Sequence, residues 1–276
     1  MIFDVDGTLV DSNGAHAAAW AEALHDFGIE RDVDVVRPLI GMGGDRLLPR
    51  LAGVTDDSEL GRRIVARRAQ RFRDTYLDHL SPFPCVRELF ERLTEDGVRL
   101  AIASSVPQDE LEALLEVANV RDFVDRRTST SAGDVDASKP DLDVVHAALA
   151  RLGLPPAAAI VVGDTPYDIE AARRADLGAI AFRSGGWADR ELADAIAIYD
   201  GPREMLADYD SRPWDWPGAP TRFGAGQRRG GGRLFVAVEE TDGFQSGRQV
   251  VLVRPPAPER DSHRGGVHVH ARRHVE

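Results

Sequence analysis

The chain has 276 residues, 43% of them hydrophobic and 29% charged, with a formal net charge of −12 at pH 7. This composition fits a globular enzyme and excludes a fibrous or wholly disordered chain. The negative charge disfavours nucleic acid and anionic membranes as partners, and no run approaches the ~18 apolar residues of a membrane-spanning helix. Because acidic residues follow the start at once, without a signal-peptide pattern, we expect a cytoplasmic protein. We also expect a monomer.

The first predicted element is a short strand. The apolar run at residues 1–5 stops at Asp6-Gly7-Thr8, which is typical of a buried strand that ends in a turn. The pattern from residue 13 to 79 is helical, with apolar residues at i, i+3 and i+4 spacing. These are Ala17, Trp20, Ala21, Leu24 and Phe27, and further helices are predicted at residues 45–51 and 58–76.

Helix and strand patterns alternate after residue 82. Helices are predicted at residues 86–96, 108–118, 142–152 and 168–175, and strands at residues 98–103, 159–162, 178–182 and 195–199. Such alternation predicts a parallel sheet with helices on both faces, to which the first strand also belongs. Glycine, proline and arginine dominate the last part of the chain, which predicts a flexible tail.

The predicted fold class is therefore α/β, with three parts. Residues 1–12 and 80–210 form a Rossmann-like parallel-sheet core. Residues 13–79 form an inserted all-helical cap domain, and residues 211–276 form a flexible, low-complexity C-terminal tail.

Four polar motifs fall at predicted strand ends, where open α/β sheets bind their ligands. Each residue alone has a simpler interpretation, because strand-end aspartates make turns, a serine can cap a helix and a lysine can be a surface charge. The four together, in this order, favour a catalytic site. They are Asp4-Val5-Asp6-Gly7-Thr8, Ser104, Ser138-Lys139-Pro140 and Gly163-Asp164-Thr165-Pro166-Tyr167-Asp168, and Lys139 is the only lysine in the chain.

In this set the chain resembles the haloacid dehalogenase superfamily, specifically its helical-cap phosphatases and β-phosphoglucomutase-like members. The resemblance implies that Asp4 is a nucleophile that forms an aspartyl-phosphate, and that Asp6 is the general acid and then the base. It also implies Mg²⁺, held by Asp4, Asp164 and the main-chain carbonyl of Asp6. Asp168 is expected either to support this metal site or to be a simple helix-start carboxylate.

The resemblance further implies that several residues contact the substrate. Ser104 is expected to donate a hydrogen bond to a phosphoryl oxygen, and Lys139 to neutralise charge in the transition state. Thr8 and Ser105 are further candidates for substrate binding within the same motifs.

The helical insertion supplies the remaining candidates. His16 resembles a hinge histidine that couples cap closure to proton transfer, although an exposed histidine after a helix cap at Ser12 is the alternative. Gly43, Gly44 and Arg46 resemble a cap loop that faces the substrate, and a flexible connector is the alternative. A band of arginines at helical spacing is interpreted as a solvated face: Arg62, Arg63, Arg67, Arg68 and Arg71.

These residues predict a magnesium-dependent phosphomonoesterase for a small phosphorylated metabolite, of the sugar phosphate or phosphoglycolate type. A β-phosphoglucomutase-like phosphomutase is the first alternative. Gly44 stands where such mutases carry an arginine, which favours hydrolysis. A non-catalytic binding protein with the same fold is the second alternative.

Overall fold

The computed structural model describes residues 1–124, 129–131 and 143–211. The chain divides into two compact units, Met1–Thr221 and Arg222–Glu276, and every described residue belongs to the first. Apart from Ser211, the predicted tail lies outside the described residues. None of the described helices is long and apolar enough to cross a membrane.

The core of the described unit is a six-stranded parallel sheet. Its strands are β1 (Ile2–Phe3), β2 (Ala101–Ala103), β3 (Ser129–Thr130), β4 (Ile160–Gly163), β5 (Gly178–Phe182) and β6 (Ala197–Tyr199). Their order is β3-β2-β1-β4-β5-β6, and every neighbouring pair is parallel. The short first strand therefore lies inside a sheet whose other strands begin about a hundred residues later, as predicted.

Alternation along the strands divides the sheet's side chains between two apolar layers. Ile2 packs in one buried cluster with Ala101 and Val161, whereas Phe3 packs in the other with Ile102 and Val162. Successive side chains of a strand point to opposite faces, so a sheet with two buried faces needs apolar residues at every position. This explains the continuous apolar runs in the sequence.

Helices cover both faces of the sheet. They are α5 (Val86–Glu95), α6 (Gln108–Val117), α7 (Asp143–Leu152), α8 (Pro166–Arg174) and α9 (Pro202–Ala207). Leu89 of α5 and Leu111 of α6 pack in the layer that contains Phe3, whereas Ala148 of α7 and Ile169 of α8 pack in the layer that contains Ile2. The prediction of a Rossmann-like α/β fold is thereby confirmed.

The segment between β1 and α5 is helical. It contains α1 (Asn13–Asp26), α2 (Val33–Val36), α3 (Gly44–Ala52) and α4 (Glu59–Arg71), and α4 continues as a π-helical turn over Phe72–Tyr76. Trp20, Leu48 and Ile64 belong to a third apolar cluster, formed within this segment. We call residues 13–79 the cap helices. Their status as a separate domain stays a prediction.

Candidate active site

Asp4 stands at the carboxyl end of the central strand. Its main-chain amide donates to the carbonyl of Val162 at 2.9 Å, which fixes it against β4. The hydroxyl of Thr8, in the following turn, lies 3.2 Å from Asp4 Oδ2 and 3.0 Å from Asp164 Oδ1. Thr8 is fully buried. Its hydroxyl therefore joins two carboxylates that are distant in sequence, and its predicted contact with substrate stays a prediction.

Asp6 has a different set of partners. Its Oδ1 accepts hydrogen bonds from Ser12 Oγ and His16 Nε2, both at 2.6 Å. Burial raises the pKa of Asp6, but the interactions with His16, the hydrogen bond from Ser12 and the positive charge of Arg68 outweigh burial and leave the pKa below its ordinary value. His16 is buried and stacks on Phe72 with ring centroids 4.1 Å apart. The exposed histidine considered from the sequence is therefore excluded.

Asp164 and Asp168 approach Asp4 from the end of β4 and the start of α8. Carboxylate oxygens of these three buried residues all lie within 4.8 Å of one another. Burial raises the pKa of Asp164, repulsion from Asp4 and Asp168 raises it further, and hydrogen bonds from Asn13 and Thr8 only partly oppose this. The pKa of Asp164 consequently lies well above its ordinary value, and a cation at this position would relieve the repulsion.

Asp168 also has a structural task. Thr165 Oγ1 and the Thr165 amide donate to Asp168 Oδ2 at 2.6 and 3.1 Å, and the Asp168 amide lies 3.3 Å from Thr165 Oγ1. This reciprocal arrangement is a capping box at the N-terminus of α8. Asp168 thus starts a helix, as one interpretation predicted, and it also lies beside Asp4 and Asp164. Its support of a metal site stays a prediction.

The surroundings of Asp164 fit a hard divalent cation. Asn13 Nδ2 donates to Asp164 Oδ2 at 2.8 Å, while Asn13 Oδ1 is buried and has no hydrogen-bond donor among the described residues. A water molecule held by an ion would supply such a donor. Carboxylate, amide and main-chain oxygens are the ligands that Mg²⁺ prefers, so the donor set present here suits that ion.

The serine motif lies next to this cluster in the sheet. Ser104 follows β2 and is fully buried, and its Oγ accepts from the amide of Val106 at 3.3 Å. Ser105 Oγ donates to the carbonyl of Gly41 at 3.3 Å, which joins the core to the cap helices. Lys139 and its neighbours lie outside the described residues, so the predicted role of this lysine stays a prediction.

A cavity of about 90 Å³ opens beside Asp4 and Asp6. Gly44 of the predicted cap loop is among its lining residues. Arg46 is instead partly exposed, with its Nε 3.7 Å from Asp45 Oδ2, and Gly43 is the residue that precedes α3. Pockets that enclose small ligands usually measure ~300–1,000 Å³. The cavity in this conformation is therefore smaller than such pockets.

Arg68 corrects the prediction of a solvated arginine face. Its side chain is buried, and Nη1 donates to Oε1 and Oε2 of Glu110 at 2.9 and 2.8 Å. Nη2 donates to Nδ1 of His16. Since arginine cannot accept a hydrogen bond, His16 Nδ1 is the acceptor, and the proton on Nε2 points to Asp6.

The burial of Arg68 could have been predicted from its spacing to apolar residues, but the neighbouring arginines suggested an exposed face. Ile64, Arg68 and Phe72 are spaced by four residues, so Arg68 lies on the apolar, inward face of α4. Glu110 and Asn13 gave no comparable signal. Each lies in the first turn of a helix, where a polar side chain is ordinary.

Several known proteins are similar to this chain in sequence. Residues 1–182 match the family described as haloacid dehalogenase-like hydrolases. Fructose-1-phosphate phosphatase YqaB of Escherichia coli (strain K12) is 28% identical over 185 residues, which cover 66% of this chain and 95% of that protein. Phosphoglycolate phosphatase of Aliivibrio fischeri is 32% identical over 193 residues, which cover 66% of this chain and 83% of that protein.

A solved structure extends the similarity to the fold. A hydrolase from Pseudomonas syringae is 31% identical and superimposes with a TM-score of 0.70, covering 76% of this chain and 97% of that one. The matched region, residues 1–182, includes β1, the cap helices and β5.

Proposed function

The chain belongs to the haloacid dehalogenase-like hydrolase family and is a hydrolase of phosphate esters, and from that premise we propose that it is a magnesium-dependent phosphomonoesterase. Its substrate is a small phosphorylated metabolite of the sugar phosphate or phosphoglycolate type. The observation that carries the proposal is the pair Asp4 and Asp6, which lie two residues apart in different environments, with Asp4 beside Asp164 and Asp6 bonded to His16.

Asp4 is the proposed nucleophile. Its carboxylate attacks phosphorus and forms an aspartyl-phosphate while the bond to the leaving oxygen breaks. The position of Asp4 at the end of a buried strand, held by the hydrogen bond to Val162, limits its movement toward and away from phosphorus. A carboxylate attacking a phosphoryl dianion is electrostatically unfavourable, so the site needs positive charge.

Asp6 is the proposed proton carrier. It gives a proton to the leaving oxygen, and it then takes one from the water that hydrolyses the aspartyl-phosphate. The lowered pKa of Asp6 favours the ionised form, which suits the second step. In the first step the approaching phosphoryl dianion opposes that effect, because a nearby negative charge raises the pKa of a carboxyl group.

The remaining residues handle charge. Asp4, Asp164 and the main-chain carbonyl of Asp6, with Asp168 beside them, would hold Mg²⁺, which would supply the positive charge that the reaction requires. Ser104 donates to a phosphoryl oxygen, and Lys139 offsets charge in the transition state. The buried acidic cluster supports this assignment of the metal, as does Asn13 Oδ1, which has no hydrogen-bond donor in the described part of the chain.

The test is phosphate release from a panel of phosphorylated metabolites, with Mg²⁺ and with EDTA, using the native chain and Asp4→Asn. We expect release that requires Mg²⁺ and disappears in Asp4→Asn. Release that is unchanged in Asp4→Asn contradicts the proposal. A phosphomutase would instead isomerise a sugar phosphate with a bisphosphate primer and release little phosphate. Gly44 lines the cavity at the position where such mutases carry an arginine, and its lack of a side chain favours hydrolysis over that outcome.

A further inference from the structure

The cavity beside Asp4 and Asp6 is mainly apolar away from these two carboxylates. Trp20, Ile40, Met42, Val65 and Val106 contribute to its lining. Apart from His16, Arg68 is the only basic residue among those described that line it. The leaving groups that the cavity can bind therefore depend on the hydrogen bonds and the charge that Arg68 can supply.

Most of the guanidinium of Arg68 is already engaged. Nη1 donates to both carboxylate oxygens of Glu110, and Nη2 donates to His16. Nε is buried and has no hydrogen-bond acceptor among the described residues. Of the five N–H groups of the guanidinium, these contacts engage three, so Nε–H and one Nη2–H remain for a ligand.

Glu110 also cancels the charge of Arg68. Its side chain is 1% exposed, and its oxygens lie within 3 Å of Nη1, so solvent screens this pair weakly. A second anionic group in the cavity would lie near a neutral pair and near the carboxylates of Asp4 and Asp6. Because Arg68 is paired with Glu110, it does not offset the repulsion between such a group and these carboxylates, which disfavours binding.

We propose that Arg68 and Glu110 make the cavity selective for leaving groups whose oxygens are uncharged. Arg68 donates through Nε to a hydroxyl oxygen, and Glu110 acts through Arg68 as a positioning and charge-cancelling residue. Metabolites with a second anionic group are rejected. This inference rests on the proposed phosphomonoesterase activity and narrows it, because it favours the sugar phosphate type over the phosphoglycolate type.

The first measurement compares two substrates that differ only at the distal carbon. 2-Hydroxyethyl phosphate ends in a hydroxymethyl group, and phosphoglycolate ends in a carboxylate. We expect the native enzyme to have a kcat/KM at least about tenfold higher for 2-hydroxyethyl phosphate. Equal efficiency, or a preference for phosphoglycolate, overturns the inference without any variant.

The second measurement changes the charge at Glu110. Glu110→Gln keeps the size of the side chain and an acceptor for Arg68, but it leaves the charge of Arg68 uncancelled. We expect the ratio of kcat/KM values, phosphoglycolate over 2-hydroxyethyl phosphate, to rise by about tenfold or more. A disturbed fold would lower both values together and would not move the ratio in this direction.

A matched control lies at the preceding residue. Asp109 is exposed and pairs with Arg73 at 3.2 Å on the protein surface. Asp109→Asn removes the same charge from the same helix without touching the cavity, so we expect the substrate ratio of the native enzyme. A ratio in Glu110→Gln that equals the ratio in Asp109→Asn contradicts the inference. If Glu110→Gln does not fold, the preference of the native enzyme decides.

The two proposals fail in distinguishable ways. Magnesium-dependent release that disappears in Asp4→Asn but favours phosphoglycolate overturns only the selectivity. Release that persists in Asp4→Asn overturns the proposed mechanism, whatever the substrate preference.

Discussion

Individual residues differ most clearly in what surrounds their carboxylates. Asp4 and Asp164 share the hydroxyl of Thr8 and lie within a cluster of carboxylates that repel one another. Asp6, only two residues from Asp4, is bonded instead to Ser12 and His16. Two carboxylates in unlike environments can take unlike roles, which is how one site can contain a nucleophile and a proton carrier.

His16 is expected to matter through its bond to Asp6. His16→Phe keeps a ring that can stack on Phe72 but removes both nitrogens, so Asp6 and Arg68 each lose a partner. We expect kcat to fall by about 10²-fold, with a smaller change in KM, because proton transfer depends on the placement of Asp6. Steady-state kinetics of phosphate release measures both parameters.

His25 provides the control for that substitution. It lies on the same helix, 68% exposed, with Nε2 3.5 Å from Glu30. His25→Phe should leave kcat unchanged, and an equal loss in both variants would assign the effect to the helix rather than to Asp6.

The acidic residues of the site were predictable from the sequence, whereas their supporting residues were not. Asp4, Asp6 and Asp164 follow apolar runs directly, so their position at strand ends could be inferred from the pattern alone. Arg68 and Glu110 are 42 residues apart and meet only because α4 packs against the core. A contact of that kind depends on tertiary packing, which hydrophobic periodicity does not encode.

At the scale of elements, the turn after β1 is crowded against the proposed metal site. Gly7 has φ of 76°, and a Cβ there would lie 2.1 Å from Asp164 Oδ2. Gly28 has φ of 75° but nothing within 4 Å of such a Cβ. The two glycines therefore share the backbone requirement, and they differ in crowding against the proposed metal site.

Gly7→Ala is expected to damage that site specifically. Gly28→Ala should lower stability by about 1–2 kcal/mol, the cost of a left-handed backbone with a Cβ, and Gly7→Ala should lower it further because its Cβ also clashes with Asp164. Only Gly7→Ala should also lose most of the increase in Tm that Mg²⁺ gives the native protein, since Asp164 must shift. Thermal melting with and without Mg²⁺ measures this, and a full Mg²⁺ shift in Gly7→Ala would contradict the account.

The π-helical turn after α4 gives a prediction about pH. Tyr76 donates to Glu22 Oε1 at 2.6 Å, and burial together with this bond raises the pKa of Tyr76 to about 12. A raised pKa means that folding favours the protonated phenol. The resulting stability is present below the unfolded pKa of about 10 and is lost as pH rises through about 12.

Tyr76→Phe should therefore lower the free energy of unfolding by about 1 kcal/mol at neutral pH. The difference from the native protein should shrink as pH rises above about 10. Urea denaturation at a series of pH values measures both effects. A difference that is absent at neutral pH, or that grows in alkali, would show that the hydrogen bond does not stabilise the fold.

Strands were predicted where an apolar run marks them, and a strand without such a run was missed. The strand Gly178–Phe182 was predicted with the observed bounds. Strand β3 was not predicted, because it is only the two polar residues Ser129 and Thr130. Both are buried by the parallel pairing with β2, a tertiary effect that gives no apolar pattern.

At the scale of the whole molecule, the chain contains nearly the full length of a fold seen in a solved hydrolase. The hydrolase from Pseudomonas syringae is covered over 97% of its length by 76% of this chain. Tyr209, near the end of the described region, is fully buried in the core that contains Phe3. The buried core therefore extends at least to Tyr209.

A chain that ends at Ser211 is expected to keep the kcat/KM of the full chain within about twofold, because its core is intact. A chain that ends at Asp208 also loses the buried Tyr209 and should be about 3 kcal/mol less stable. Activity assays and denaturation of the two truncated chains measure this difference. Loss of turnover in the longer chain would contradict the prediction.

The net charge of −12 means that the molecule as a whole repels a phosphate dianion. Turnover therefore depends on the local chemistry at Asp4. The most direct test is mass spectrometry of the enzyme quenched in acid during turnover with Mg²⁺. If Asp4 is the nucleophile, a transient phosphoryl group is expected on the peptide that contains Asp4 and Asp6, and it is expected to be absent in Asp4→Asn. A phosphorylated peptide elsewhere in the chain, or one that persists in Asp4→Asn, would contradict this role of Asp4.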